Sequence, residues 1–287
     1  MMYENVAVVG YGYVGKAVAD FFKDNFEVFA YDPLYVKDEG YDKDGIHFVS
    51  DSDRENQINS CDLAVICVPT PKNEDGSVDL SYILDVLSWV STPYILIKST
   101  IPPGTTQSLV AKTGKRIVFS PEYIGEGKYV IQWWKDQGHP HPTDMKKHDF
   151  QIFGGIREHT TEVLEFFKKV LGPSAKYIQT DSTTAELTKY MENSWGATKV
   201  IFSNEFAKIA EAFGVDYNEL RELFLMDGRV ERMHTAVFKD KPGFGGKCFP
   251  KDVSGIVDES RKAGYNPILL SAVLESNKEL RKGYDID

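Results

Sequence analysis

Seven short apolar runs, mostly β-branched, punctuate the first 180 residues: VAVV (6 to 9), EVFAY (27 to 31), LAVICV (63 to 68), YILIK (94 to 98), RIVFS (116 to 120), QIFGG (151 to 155) and KYIQT (176 to 180). Helical patterns separate them, and strands that alternate with helices predict an α/β fold with a doubly wound parallel sheet covered on both faces. From Thr183 the apolar spacing becomes 3.6, through Leu187, Met191, Trp195, Ile201 and Phe202, and further helical segments follow near 216 to 225, 252 to 263 and 267 to 282. Two domains are therefore expected, 1–182 and 183–287, the second all-helical. The stretch from Thr183 to Phe213 predicts one helix of about 30 residues, long enough to act as a spine between domains or subunits.

The turn after the first run is Gly10-Tyr11-Gly12-Tyr13-Val14-Gly15, a GxGxxG pattern between a strand and a helix. Such glycines allow a tight turn, close approach of backbone to a pyrophosphate and close helix packing, while the helix N-terminus offers N–H groups. Asp32 ends the second strand, where a carboxylate accepts hydrogen bonds from a ribose diol and repels a 2'-phosphate. The pattern predicts a Rossmann-type domain that binds NAD in preference to NADP. Asp32-Pro33 also suits a plain turn.

Three stretches carry candidate chemistry. KSTIPPGTT (98 to 106) places Ser99 and Thr100 at the carboxyl end of a strand, where open sheets bind ligands, and FSPEYIGEG (119 to 127) does the same for Glu122 and Glu126. Lys189 and Asn193 stand four apart on the long helix, a cation and an amide donor on one face, suited to a developing oxyanion. Each has a plainer reading: Ser-Thr as a helix cap, Glu122 as a cap or ion pair, Lys/Asn as a solvated helix face. PGFGGKCFPKD (242 to 252) sets Cys248 between Lys247 and Lys251, which would favour the thiolate, with Gly245 and Gly246 admitting a ligand and Asp252 one helical turn later. A small buried cysteine beside a glycine turn is the alternative.

Composition narrows the classes. The chain has 42% hydrophobic and 26% charged residues, a formal charge of -10 and three cysteines. The acidic balance disfavours nucleic acid. No basic segment precedes an apolar run at the N-terminus and no run reaches about eighteen apolar residues, which predicts a cytoplasmic protein without membrane attachment. Cys61, Cys67 and Cys248 form neither a CxxC pair nor an even framework. Residues 131 to 149 read as a long irregular loop; its His139 and His141, with distant His148, are expected not to be metal ligands, so no metal is predicted.

In order, GYGYVG, VPTP (68 to 71), STIPPGTT, FSPEYIGEG, the Lys189–Asn193 spacing and GFGGKCFPKD resemble the UDP-glucose/GDP-mannose dehydrogenase family over nearly the whole chain. The resemblance implies an NAD-dependent, four-electron oxidation of a nucleotide sugar's C6 alcohol to a carboxylate, through an aldehyde and a thioester. It casts Cys248 as nucleophile, Lys189 and Asn193 as oxyanion stabilisers, Asp252 and Thr100 as holders of the hydrolytic water, and Glu122 in acid/base steps. It implies cofactor contacts from Gly10 to Gly15, Asp32, Val68, Pro69, Thr70, Ser99, Thr100 and Glu126. Substrate contacts would come from Glu122, Tyr123, Lys189, Asn193, Phe244, Gly245, Gly246 and Arg229, the last reaching a partner subunit's substrate. A homodimer through the helical domain is expected from the bulky apolar residues of the long helix.

The sequence departs from the family's pattern at several points. Members continue into a third, nucleotide-binding domain, so the chain is expected to be either part of a longer protein or a short member of the family. Gly125 stands where arginine is usual, and the stretches after Glu126 and from Arg229 to Pro242 are longer. Two rivals remain: a two-electron hydroxyacid dehydrogenase, which shares the Lys-x-x-x-Asn pair, and an impaired NAD-binding subunit that needs a partner.

Overall fold

Side chains alternate across a strand, and β1 (Asn5–Val9) buries both of its faces: Val6 and Val8 join one apolar cluster, Ala7 and Val9 the other. The computed structural model describes residues 3–36, 39–73, 75–124 and 144–284. The chain forms two compact units, Met1–Pro71 with Asp79–Thr188, and Lys72–Val78 with Lys189–Asp287.

The first unit is built on one sheet. Its strands are β1, β2 (Glu27–Tyr31), β3 (Tyr41–Lys43), β4 (Ile46–Phe48), β5 (Leu63–Ile66), β6 (Tyr94–Ile97), β7 (Ile117–Phe119), β8 (Phe150–Gly154) and β9 (Lys176–Thr180), in spatial order β3-β4-β2-β1-β5-β6-β7-β8-β9. Helices α1 (Tyr13–Phe22), α2 (Arg54–Asn59), α3 (Ser81–Trp89), α4 (Thr105–Thr113) and α5 (Arg157–Leu171) cover it. On one face Val18, Phe21 and Phe22 of α1 pack with Phe166 and Phe167 of α5; on the other Ile58, Ile83, Leu87 and Leu109 pack from α2, α3 and α4. This is the expected doubly wound Rossmann-type architecture.

Two pairings correct the expectation of a wholly parallel sheet: β3 with β4 and β7 with β8 are antiparallel. The first follows from Asp44 and Gly45, whose φ angles of 53° and 78° make the two-residue turn that matches strand twist in a hairpin. The chain then changes sides of β1 on passing from β4 to β5. The crevice outside the carboxyl ends of β1 and β5 is consequently the topological switch point, where such sheets take ligands.

Helix α6 (Ser182–Ala212) runs for 31 residues, followed by α7 (Tyr217–Phe224), α8 (Phe249–Lys262) and α9 (Ile268–Leu280). In the second unit Ala197, Ile201, Phe244, Val253 and Val273 form a small buried core. Of the periodic apolar residues of α6, Ile201 is buried, whereas Leu187, Met191, Trp195 and Phe202 are exposed, as are Phe206, Ile209 and Phe213. Among the described residues no helix is long and apolar enough to cross a membrane.

Candidate active site

The glycine turn is shaped by what a side chain would strike. Gly10 has φ 90°, and a Cβ there would lie 2.8 Å from the Cys67 carbonyl carbon; one on Gly15 would lie 1.9 Å from Gly10 O. Beside Gly12 the space is open, and α1 starts from it with no side chain capping its first N–H groups. An open cradle at an uncapped helix N-terminus fits a dinucleotide pyrophosphate. Tyr11 donates its N–H to Asp32 Oδ2 at 2.6 Å, and Leu34 donates its own to Oδ1 at 2.8 Å, which fixes the Asp32 carboxylate while each oxygen keeps a lone pair for a ribose hydroxyl. Tyr13 is exposed at the start of α1, and Val14 packs on the core.

The ends of β5 and β6 are stitched together. Ser99 Oγ donates to Val68 O at 2.6 Å and Thr70 Oγ1 donates to Thr100 O at 2.8 Å, so Val68, Thr70, Ser99 and Thr100 form one rim, with Pro69 exposed on it. Glu122, just past β7, is buried; its Oε1 accepts the N–H groups of Tyr123 and Ile124 at 2.8 and 3.0 Å. Its Oε2 lies 3.1 Å from Nζ of buried Lys98. The plainer expectation of an ion pair is thus present in the geometry. Tyr123 sets its ring 5.2 Å from that of Phe150. Glu126, Gly125, His139 and His141 lie outside the described residues.

In the second unit Cys248 is the N-cap of α8, and its carbonyl accepts the Asp252 N–H at 2.8 Å, so the expected single turn separates thiol and carboxylate. Cys248 thus stands at the positive end of a 14-residue helix. Lys251, expected to act on the thiol, forms an ion pair with Asp252, and Lys247 is exposed. Asp252 is 1% exposed and also accepts from Asn193 Nδ2. Asn193 Oδ1 in turn accepts from Lys189 Nζ at 3.2 Å, and Lys189 Nζ donates to Glu192 Oε2 at 2.6 Å. Lys189 and Asn193 of α6 and Asp252 and Lys251 in the first turn of α8 therefore form one continuous polar chain, close in sequence to Cys248 at the α8 N-cap.

The glycine loop is held by amides. Asn277 accepts the Phe244 N–H at 2.7 Å and donates to Phe244 O at 3.0 Å, while Asn204 Oδ1 accepts the Gly243 N–H at 3.1 Å. The Phe244 ring belongs to the small core, so only its main chain faces the loop. A Cβ on Gly245 would meet Arg281 Nη1 at 2.5 Å, whereas Gly246, at φ 73°, borders open space. Arg229 extends from an exposed turn and pairs with Asp227 at 2.6 Å.

Several residues of this arrangement carry no local signal in the sequence. Lys98, Glu192, Asn204 and Asn277 act through partners far along the chain or through helix faces. Only Glu192, three positions after Lys189, was within reach of the helical spacing rule. Cys61 and Cys67 behave as expected of inert thiols: burial pushes Cys61 up to about 12 and raises Cys67 as well.

A doubly wound dinucleotide-binding sheet followed by a long helix and a helical unit is the fold of a two-domain NAD-dependent dehydrogenase. Residues 38–137 match the model of the NAD binding domain of the UDP-glucose/GDP-mannose dehydrogenase family, and residues 183–279 match that family's central domain. The chain belongs to this family. It is 31% identical over 235 residues to UDP-glucose 6-dehydrogenase of Rickettsia prowazekii, covering 78% of this chain and 50% of that protein. The structure of a UDP-glucose dehydrogenase from Pyrobaculum islandicum superposes with a TM-score of 0.79 at 26% identity, over 98% of this chain and 69% of that one. A 3-hydroxyisobutyrate dehydrogenase from Mycobacterium tuberculosis shares the fold, with a TM-score of 0.69 at 16% identity over 100% of this chain and 97% of that one. The chain spans about half the length of curated relatives it matches, from 49% to 63% for the UDP-glucose 6-dehydrogenases of three Rickettsia species.

Proposed function

We propose that this chain oxidises the C6 alcohol of a nucleotide sugar to a carboxylate, in two NAD-dependent steps joined by a covalent adduct on Cys248. The observation that carries the reading is the Cys248 thiol at the N-terminus of α8, one turn from a buried carboxylate tied to both Asn193 and Lys251. NAD, when bound, supplies the acceptor for both hydrides; Gly10 to Gly15 and Asp32 would hold its pyrophosphate and ribose, with the rim from Val68 to Thr70 and Ser99 to Thr100 beside them.

The first oxidation gives an aldehyde. The Cys248 thiolate adds to its carbonyl carbon, forming a thiohemiacetal whose alkoxide Lys189 and Asn193 stabilise as donors. Loss of the second hydride leaves a thioester. Water then attacks the acyl carbon, the C–S bond breaks, and the thiolate is regenerated with release of the carboxylate. Asp252 is suited to orient that water, because the hydrogen bond from Asn193 and the ion pair with Lys251 hold its carboxylate in place one turn from Cys248. Thr100 is assigned to hold that water with Asp252, and Glu122 the proton transfers. Incubation with NAD and a panel of UDP- and GDP-sugars tests the substrate class; no NADH from any of them contradicts it.

We also infer a homodimer. Leu187, Met191, Trp195, Phe202, Phe206 and Ile209 leave an exposed apolar stripe along α6, continued by Phe213 just past its end, and contiguous exposed apolar surface marks interaction faces. A second copy of the same stripe would cover it by twofold symmetry.

A further inference from the structure

Lys98 is a buried lysine to which the proposed chemistry gives no part. It follows β6 directly, is 3% exposed, and donates from Nζ to Ser120 Oγ at 3.2 Å and Pro121 O at 3.4 Å, with Glu122 Oε2 at 3.1 Å. The Phe167 ring of α5 flanks it, 5.8 Å from Nζ to centroid. Its three protons thus face three oxygens, all on the segment after β7. Burying an ammonium so deeply is costly, and an ion pair replaced by apolar groups is often no loss to stability. Stability alone is a poor reason for this lysine.

The partner supplies a better one. Glu122 sits past the carboxyl end of β7, on the edge of the sheet where doubly wound folds do chemistry. Two backbone N–H groups hold its Oε1, and Oε2 touches Lys98 at ion-pair distance without making a hydrogen bond of its own. Among the described residues, the other titratable group close to the pair is Cys67, after β5, whose thiol is raised by burial, and α5 contributes the Phe167 ring. We propose that Lys98 is a positioning residue: its ammonium, 3.1 Å from Oε2, holds the Glu122 carboxyl group in a single orientation, with one lone pair of Oε2 in reserve for a proton in turnover. This rests on the acid/base role assigned to Glu122 above.

The test compares wild type, Lys98→Met, Glu122→Gln and the double variant. Without its counter-ion the buried Glu122 would hold a proton to higher pH, so in Lys98→Met the acid limb of kcat/KM for carboxylate formation moves up by about one pH unit or more. KM for NAD stays unchanged, and activity recovers at alkaline pH. Adding Lys98→Met to Glu122→Gln costs no further activity. A Lys98→Met rate reduced equally at every pH, or a double variant worse than Glu122→Gln by the full single effect, overturns the proposal. Thermal unfolding against pH decides the coupling even if wild type oxidises no sugar, an outcome that would sink the proposed function instead. Lys98→Met should lose most stability at high pH, where an unpaired carboxylate is charged, and the double variant should regain it. Should Lys98→Met fail to fold, a folded double variant supports the pairing and an unfolded one refutes it.

Discussion

Glu186 offers the sharpest structural test. It lies in the first turns of α6 with no exposed surface; its Oε2 accepts the Gly104 N–H at 2.5 Å and its Oε1 the Thr106 N–H at 2.8 Å. These bonds close the N-terminus of α4, whose N-cap Gly104 has no side chain to do so. In Glu186→Ala two charge-assisted bonds vanish, and one donor is left in a buried position, the other partly so. At about 1–3 kcal/mol for a buried unsatisfied group, less what is regained by no longer burying a carboxylate, the loss comes to about 2–4 kcal/mol. That corresponds to a fall in melting temperature of roughly 4–12 °C, followed by circular dichroism. The pH dependence carries a sign. Burial raises the Glu186 carboxyl above its ordinary value, only partly offset by the Thr106 and Gly104 hydrogen bonds. The folded chain therefore holds that proton more tightly than the unfolded one, so the contribution of Glu186 is greatest in acid and declines as pH rises toward the raised value. The gap between wild type and variant should narrow from mild acid to neutral pH. No measurable shift would refute the capping argument, and a gap that widens over that range would refute the sign of the pH dependence.

Other outcomes follow from the same geometry. Gly15→Ala forces a Cβ to within 1.9 Å of Gly10 O and should abolish NAD binding by calorimetry while helical content persists; retained affinity would count against the cradle. Brief iodoacetamide treatment near neutral pH should label Cys248 first, since burial holds the Cys61 and Cys67 thiols in their protonated form; peptide mass spectrometry showing Cys67 labelled first contradicts this. Trp195→Asp with Phe202→Asp should convert a dimer to a monomer by light scattering, and a wild-type monomer at high concentration would remove the dimer altogether.

Much of the architecture was readable because local signals and the final fold agree. Strands with β-branched residues alternating onto two cores, a GxGxxG turn between strand and helix, and a long 3.6-periodic stretch each specify their element within a few residues. The β3–β4 hairpin was also written locally, as Asp44-Gly45, but its strands are three residues each and carry few apolar residues, so the strand pattern passed over them. Of the site, the motif residues Cys248, Asp252, Lys189 and Asn193 were named by spacing and family resemblance. What connects them was hidden. Lys98 to Glu122 and Glu186 to Thr106 are pairings across sheet and helix, and no local rule predicts which carboxylate meets which donor. Lys251 shows the converse: adjacent to the thiol region in sequence, it pairs with its immediate neighbour Asp252.

The central claim is that one thiol carries the substrate between two oxidations, and the direct measurement is NADH formed per sugar consumed, in wild type and Cys248→Ser. Two NADH per carboxylate in wild type, with carboxylate formation in the serine variant down by about 10⁴-fold or more, is the predicted result. One NADH per sugar, unaltered by the serine substitution, would contradict it and support a two-electron dehydrogenase.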